Sequence, residues 1–411
     1  MNPIRLAVVA GHPVQYVAPW LAQLAEVNDL EVHVFYLWDF GVVETRDPGF
    51  GITLEWDIPL LEGYSYSFLR NHAKDPGNHH FMGYVNPALA GKISDWKPDV
   101  IFLMNYAFLS YFLLLADPRL WRKPILFRGD SHDVGRSKAL KPFLAKMLRR
   151  TVFSRFSAFL DVGKNNRDYL LASGVSPRRI FHAPHAIDNQ RFRMARPRAF
   201  EGAKELRSEL GISEEKVLIC FVGKLIAVKR PLDLLNAFAA LPKELARKAS
   251  LLFVGDGKLK SHLQAAGNRI ESLHFLPFQN QSNMPSVYAA ADLLVLPSQS
   301  ETWGLVVNEA MNMSCPVLVS DHVGCAPDLV IPDETGWIFP TGDVKALIHY
   351  LTLAISQPNH LGQMGRNAST RIEQFSFESL TAGLLEAVNF VVKDQHLDHP
   401  SKRLKSAKIL A

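Results

Sequence analysis

Two acidic residues eight positions apart, Glu301 and Glu309, stand in the segment Ser298-Gln-Ser-Glu-Thr-Trp-Gly-Leu-Val-Val-Asn-Glu-Ala-Met311. The segment follows the apolar run Leu293–Leu296 and reads as a strand, a turn and a helix over 302–313. With Glu301 at the helix start, the rise per residue puts the two carboxylates about 12 Å apart along the axis. That is the span from a hexose to the ribose of a nucleotide diphosphate sugar. One carboxylate can then accept hydrogen bonds from sugar hydroxyls and the other from ribose hydroxyls. Between them, the N–H groups of Gly304, Leu305 and Val306 and the positive end of the helix dipole suit a diphosphate. Gly304 also lets the backbone come close to it. Acidic residues at helix starts are commonly plain dipole partners, so Glu301 alone says little. Glu309 says more, because it lies among Val306, Val307, Ala310 and Met311, and a buried carboxylate needs partners or a role.

A second segment, Phe221-Val-Gly-Lys-Leu-Ile-Ala-Val-Lys-Arg-Pro231, again runs from a strand through a glycine turn to a helix. Lys224 and Lys229 on a turn facing a cleft would neutralise a diphosphate and stabilise it as it leaves. Breaking an anomeric C–O bond depends largely on such stabilisation of the leaving charge. Standing alone, the segment would read as a solvated basic loop. Arg230 is expected to face solvent or to be paired.

The elements that must position these residues come from apolar periodicity. In the first half, Leu6–Ala10, Val32–Leu37, Val100–Met104, Ile125–Arg128 and Ala158–Val162 read as strands. Pro19–Glu26, Pro87–Ser94 and Lys138–Arg150 read as helices between them. After a polar stretch, Arg191–Glu201, a second alternation begins. Its strands are Lys216–Val222, Ser250–Val254, His274–Leu276, Leu293–Leu296 and Pro316–Ser320, and its helices include Pro231–Ala240, Leu259–Ala266 and, near the end, Phe377–Val392. Alternation of this kind argues for two parallel-sheet α/β domains, whose ligands bind at the carboxyl ends of the strands.

Composition agrees with two packed domains. The chain has 411 residues, 48% hydrophobic and 21% charged, more than one ordinary core organises. A net charge of +5 suits anionic partners such as diphosphates or anionic lipid. No recognition motif or aromatic-interleaved basic run supports nucleic acid. Cys220, Cys315 and Cys325 have no metal-ligand spacing and fit buried thiols in a reducing cytoplasm. The apolar stretch Val100–Ala116 is short for a membrane span and is interrupted by Asn105 and Tyr106, so it reads as a strand followed by a helix.

Taken together, these segments resemble the retaining glycosyltransferases of the GT-B fold, in particular glycosyltransferase family 4. The resemblance covers most of residues 216–345. It includes the lysine turn, Phe253-Val-Gly-Asp-Gly257, Phe275-Leu-Pro-Phe278, Tyr288-Ala-Ala-Ala-Asp292, the glutamate pair and Glu334-Thr-Gly-Trp-Ile-Phe339. It implies that Glu301 contacts the transferred sugar, Glu309 the ribose, and Lys224 and Lys229 the diphosphate, with Gly223 at the turn and the backbone around Phe278 holding the base. The first basic residue of the family is usually Arg, so Lys224 lacks the bidentate fork. Where the family has a Gly-Gly-Pro-Glu-like segment, this chain has Gly324-Cys-Ala-Pro-Asp328. In the first half, Gly11 follows the first strand where a double glycine is usual, and His12-Pro13 stands instead. His132, in Phe127-Arg-Gly-Asp-Ser-His132, is the candidate for a histidine that reaches the donor sugar. Arg128 and Asp130 can pair with each other, and His182 and His185 can order the approach to the linker.

The resemblance implies a GT-B fold of two Rossmann-like, doubly wound parallel-sheet domains facing a cleft. Residues 1–190 would bind the acceptor, 191–201 would link, and 202–375 would bind the nucleotide sugar. A helix over 376–393 can pack back on the N-terminal domain, and 394–411 form a basic, mobile tail. The implied activity is retaining transfer from a nucleotide diphosphate sugar to a saccharide or lipid-linked saccharide, in surface polysaccharide or lipopolysaccharide biosynthesis. No cofactor or metal is expected, and His79-His80 reads as a surface loop. The expected location is the cytoplasm, with a peripheral place at the inner membrane face if the basic helix Lys138–Val152 docks on anionic lipid instead of only packing. The rivals are a nucleotide-sugar epimerase of the same fold and a non-catalytic nucleotide-sugar or saccharide-binding subunit.

Overall fold

The computed structural model describes residues 2–42, 45–46, 53–54, 56–134 and 149–397. The N-terminal half builds one all-parallel sheet from β1 (Ile4–Ala10), β2 (Leu30–Tyr36), β3 (Ser65–Phe68), β4 (Val100–Leu103), β5 (Ile125–Arg128), β6 (Ala158–Asp161) and β7 (Ile180–His182). Their spatial order is β3-β2-β1-β4-β5-β6-β7. Most of these strands are continuous apolar runs buried on both faces, as parallel strands covered by helices must be. β3 is the exception. It is a half-exposed edge strand whose sequence, SYSF, alternates polar and aromatic residues and gives no apolar run to read.

The C-terminal half repeats the design with β8 (Val217–Val222), β9 (Ala249–Val254), β10 (Leu273–Leu276), β11 (Leu293–Leu296), β12 (Val317–Ser320) and β13 (Gly336–Phe339). The order is β10-β9-β8-β11-β12-β13, again all parallel. Each sheet carries a core on both faces. Cys220 and Leu252 point to one side of the second sheet, Phe221 and Phe253 to the other. In both sheets the winding direction reverses next to the first strand, between β1 and β4 and between β8 and β11. Such reversals open a crevice at the carboxyl ends of the strands.

Several helices support the crevices: α1 (Ala18–Ala25), α2 (Leu89–Trp96), α3 (Leu109–Ala116), α4 (Lys164–Ala172), α5 (Asn189–Glu209), α6 (Pro231–Ala239), α7 (Lys243–Ala246), α8 (Lys260–Ala266), α9 (Met284–Ala290), α10 (Leu305–Asn312), α11 (Ala326–Leu329), α12 (Val344–Ser356), α13 (Pro358–Ile372) and α14 (Phe377–Leu397). One sequence expectation is refined here. The stretch Arg191–Glu201, expected to link the domains, is helical. It lies within α5, which is capped by the Asp188 carboxylate and packs on α9. Its polarity misled because only Asn189, Phe192, Ala199 and Ala203 of the helix are buried. The Val100–Ala116 stretch is β4 followed by α3, as expected.

Helix α14 returns to the first domain. Leu380, Leu384, Val388 and Val391 join Leu6, Val8 and Trp20 in one core, and the Trp20 indole donates to the Thr381 hydroxyl at 3.0 Å. The stretch Pro358–Lys393 is long and apolar enough to cross a membrane by composition, but it is half buried and divided between α13 and α14. Most of the basic helix expected over Lys138–Val152 lies outside the described residues, as do 398–411. At its described end, Val152 is buried in the first core and Arg149 lies over the Tyr169 ring.

Candidate active site

The reversal point of the second sheet brings the two sequence signals together. β8 ends at Val222 and delivers Gly223, Lys224 and a short 3₁₀ turn, Ala227–Lys229. β11 ends at Leu296 and delivers the loop that carries Glu301. The two loops are tied by the Gln299 amide, which donates to the Val228 carbonyl at 2.8 Å. The result is an ion pair between the Lys229 ammonium and Glu301 Oε2. Burial and the neighbouring Lys224 bring the Lys229 ammonium down to about 8. A half-desolvated lysine beside a second lysine is a site that gains strongly from an anion.

Glu301 does not sit on the helix. α10 begins at Leu305, with Gly304 as its N-cap in the left-handed region at φ +98°, and Glu301 pairs instead with Val323 in a short parallel bridge. The helix-rise distance expected between the carboxylates therefore does not apply, because residues 301–304 are not helical. Only glycine adopts this φ without strain, and a β-carbon at Gly304 would also crowd Leu296 and Val323. No side chain caps α10, so the N–H groups of its first turn, at Leu305 and Val306, point toward the crevice end. The Glu301 carbonyl is held from two sides. Gly324 N–H donates to it at 3.0 Å and His132 Nε2–H donates at 3.0 Å. His132 Nδ1 accepts from the Val134 amide, which fixes the neutral Nε2–H tautomer. His132 thus reaches the site from the first domain and touches the Glu301 loop.

Glu309 lies on the second turn of α10, 2% exposed. Tyr288 donates its hydroxyl to Oε2 at 2.6 Å. Oε1 makes no well-aligned hydrogen bond, although the Tyr16 hydroxyl and the Gln281 side chain stand close to the carboxylate. Burial pushes the carboxyl up from its usual range, while Tyr288, Arg191 and Tyr16 pull it back. Arg191 is fixed by two bonds to Gln281, at 2.8 and 2.7 Å. The carboxylate opens on a cavity of about 120 Å³. Val222, Gly223, Val254 and Gly255 line it, and a β-carbon on Gly255 would strike the Gly223 carbonyl. Phe278 lines the far end, where its amide is spent on Asp256 Oδ2 at 2.8 Å. That N–H is therefore engaged within the protein.

Gly11 ends β1 against the Tyr84 ring and is not part of the cavity wall. The same loop contributes Gln15 and Tyr16 to the wall instead. Nearby, His12 bonds the Tyr84 hydroxyl at 3.1 Å within edge-on contact of Trp38 and Phe40, and burial lowers its pKa to about 4. This aromatic surround faces the crevice of the first sheet. Tyr16, Trp56, Arg191 and Tyr288 are site residues that sequence reasoning missed. Tyr288 lay within a quoted motif, but nothing local marked the other three.

The segment Gly324–Asp328 is a docking element between domains. The amide of Lys164, at the start of α4, donates to both Asp328 oxygens at 3.1 Å, and Asn165 Nδ2 donates to the Gly324 carbonyl at 3.1 Å. Arg128 does not bond Asp130. Its guanidinium donates to the Ala183 and Pro184 carbonyls. His182 bonds Asp161 at 2.8 Å, and His185 lies 3.9 Å from Asp130. His79 and His80 are not isolated, because Asp75 lies 2.9 Å from His79 and 3.5 Å from His80 on the exposed loop.

Comparison with known proteins bears on this geometry. Residues 202–371 match the family model of the glycosyl transferases group 1. The matched stretch contains both lysines and both glutamates. The chain is 33% identical over 199 residues to the D-inositol 3-phosphate glycosyltransferase of Gordonia bronchialis, covering 45% of this chain and 43% of that one. It is 27% identical over 310 residues to the sulfoquinovosyl transferase SQD2 of Arabidopsis thaliana, covering 72% and 58%. The chain thus spans about half the length of these curated relatives. The structure of Anabaena Alr3699/HepE in complex with UDP superposes with a TM-score of 0.69 at 17% identity, over 94% of this chain and 99% of that one. The fold is GT-B, two parallel-sheet α/β domains that meet at a cleft.

Proposed function

We propose that the chain is a retaining glycosyltransferase that moves a sugar from a nucleotide diphosphate donor to a hydroxyl of a saccharide or lipid-linked saccharide. The observation that carries this reading is the convergence of Lys224, Lys229 and Glu301 at the β8/β11 reversal, with Glu309 opening on the adjoining cavity. Ribose hydroxyls donate to Glu309 Oε1, which makes no well-aligned bond within the protein. The diphosphate lies over the first turn of α10, between Lys224 and Lys229. Glu301 receives the sugar hydroxyls once the donor phosphates draw Lys229 to themselves.

The lysines and the helix dipole stabilise the charge that builds on the leaving diphosphate. The acceptor hydroxyl attacks on the face the diphosphate leaves, and a phosphate oxygen takes its proton. No side-chain nucleophile, metal or cofactor is needed. The half-buried rings of Trp38 and Phe40, beside His12, give the first domain apolar surface of the kind sugar rings pack against. The group 1 relatives named above support transfer of a sugar. A role in surface polysaccharide or lipopolysaccharide assembly is the biological setting we favour.

Following a panel of nucleotide sugars with the protein by proton NMR tests the proposal. A new anomeric signal with the donor's configuration, together with nucleoside diphosphate, is the expected result. Inversion at the anomeric carbon would overturn retention. Isomerisation of the sugar without a covalent product would favour the epimerase, and unchanged spectra across the panel would favour a binding subunit.

A further inference from the structure

We propose that Trp56, carried by the N-terminal domain, caps the nucleobase of the donor, so that the nucleotide site is completed only when the two domains meet. The inference rests on the donor-site reading above and adds a residue outside the group 1 domain.

The cavity beside Glu309 is not a feature of the second domain alone, because Gln15, Tyr16 and Trp56 of the first domain form one wall. Glu309 and Tyr16 mark the ribose end. The base must then extend toward Phe278, and there the Trp56 ring stands edge-on to the Phe278 ring, with centroids 6.0 Å apart at 69°. Val222, Gly223, Val254 and Gly255 of the second domain line the same cavity, and the two glycines put no side chain into it. A planar base resting on these glycines leaves its other face to be covered; with Tyr16 at the ribose end, Trp56 is the first-domain aromatic left to cover it.

Trp56 is held there by its neighbour. Asp57 Oδ2 accepts from the Ser282 amide at 3.0 Å and from the Ser282 hydroxyl, and the Asp57 amide donates to Asn280 Oδ1 at 3.4 Å. These bonds join an exposed residue of the first domain to the loop that follows Phe278. They contribute little to either core, but they fix where Trp56 sits relative to the cavity. The arrangement links base recognition to domain closure. A bound base holds Trp56 in place, and Asp57 brings the second domain's loop with it.

Calorimetric titration of the full chain with UDP, ADP and GDP tests this, using the tightest of the three against Trp56→Ala, Trp56→Phe, Asp57→Ala and Glu309→Ala. Trp56→Ala should weaken binding by roughly 5- to 150-fold, the range of a lost base–aromatic stack. Trp56→Phe should restore most of the loss, and Asp57→Ala should fall between. The cap is overturned if Trp56→Ala binds like the wild type while Glu309→Ala weakens binding. It is equally overturned if Trp56→Phe gives no rescue, or if the loss in Trp56→Ala only accompanies a collapsed melting temperature. If no diphosphate binds, or Glu309→Ala changes nothing, the donor-site reading itself falls and the cap with it.

Discussion

Donor affinity should fall steeply above pH 8, because Lys229 then loses its proton. The ammonium is lowered to about 8 by burial and by Lys224. At pH 7 roughly nine-tenths of the unliganded protein carries the charge, and at pH 9 roughly one-tenth does. A bound diphosphate stabilises the ammonium, so the complex keeps its proton over this range and binding takes one up. The sign follows directly. Affinity is level below about pH 8 and falls by about tenfold per unit above it, giving roughly a tenfold loss between pH 7 and pH 9. Calorimetric titration of nucleoside diphosphate in buffers of different ionisation enthalpy measures both affinity and proton uptake. Lys229→Arg keeps its charge throughout, so its affinity should stay level to pH 10. A level profile in the wild type, or the same falling limb in Lys229→Arg, would show that another group titrates and that Lys229 does not hold the diphosphate.

Two further outcomes follow from the geometry. Glu309→Gln should weaken nucleoside diphosphate by about tenfold to a hundredfold, since a charged acceptor is replaced by a neutral one. Burial raises the Glu309 carboxyl, so its ionised form costs stability at neutral pH, and the Gln variant should melt at the same temperature or higher; unchanged affinity would remove the ribose assignment. Asp328→Ala takes the cap from the start of α4 across the domain boundary. It should cost about 0.5–2 kcal/mol in urea unfolding, with KM for the donor rising more than kcat falls.

The fold was legible wherever burial is two-sided. Val217–Val222 and Ile125–Arg128 are unbroken apolar runs, and such runs between helical patterns already imply parallel sheets. β3, β7 and β13 escaped notice, the first because it is a half-exposed edge, the other two because they have only three and four residues. Helix α5 escaped because it is polar along most of its length and carries Pro197 in its interior. In the site, Glu309 announced itself as a carboxylate inside an apolar run, and the lysine turn followed from the strand that precedes it. Glu301 was found for a partly mistaken reason, since its loop position and not a helical rise sets its relation to Glu309. Tyr16, Trp56 and Arg191 could not be read, because only the meeting of the two domains and the packing of α5 on the second bring them to the cavity. The departure at Gly324–Asp328 was visible as a difference, but its role in docking α4 depends on contacts between distant parts of the chain.

The central proposal is that the second domain holds a nucleotide diphosphate sugar between Lys224, Lys229, Glu301 and Glu309 and uses that grip for turnover. Nucleoside diphosphate release from a nucleotide-sugar panel, measured side by side for the wild type, Lys229→Ala and Glu309→Ala, tests it most directly. The account predicts release from at least one donor by the wild type. Lys229→Ala should lose both kcat and nucleoside diphosphate affinity, the latter by at least about tenfold, and Glu309→Ala mainly donor affinity, both with wild-type folding. Release that survives unchanged in both variants, or no release from any donor by a folded wild type, would contradict it.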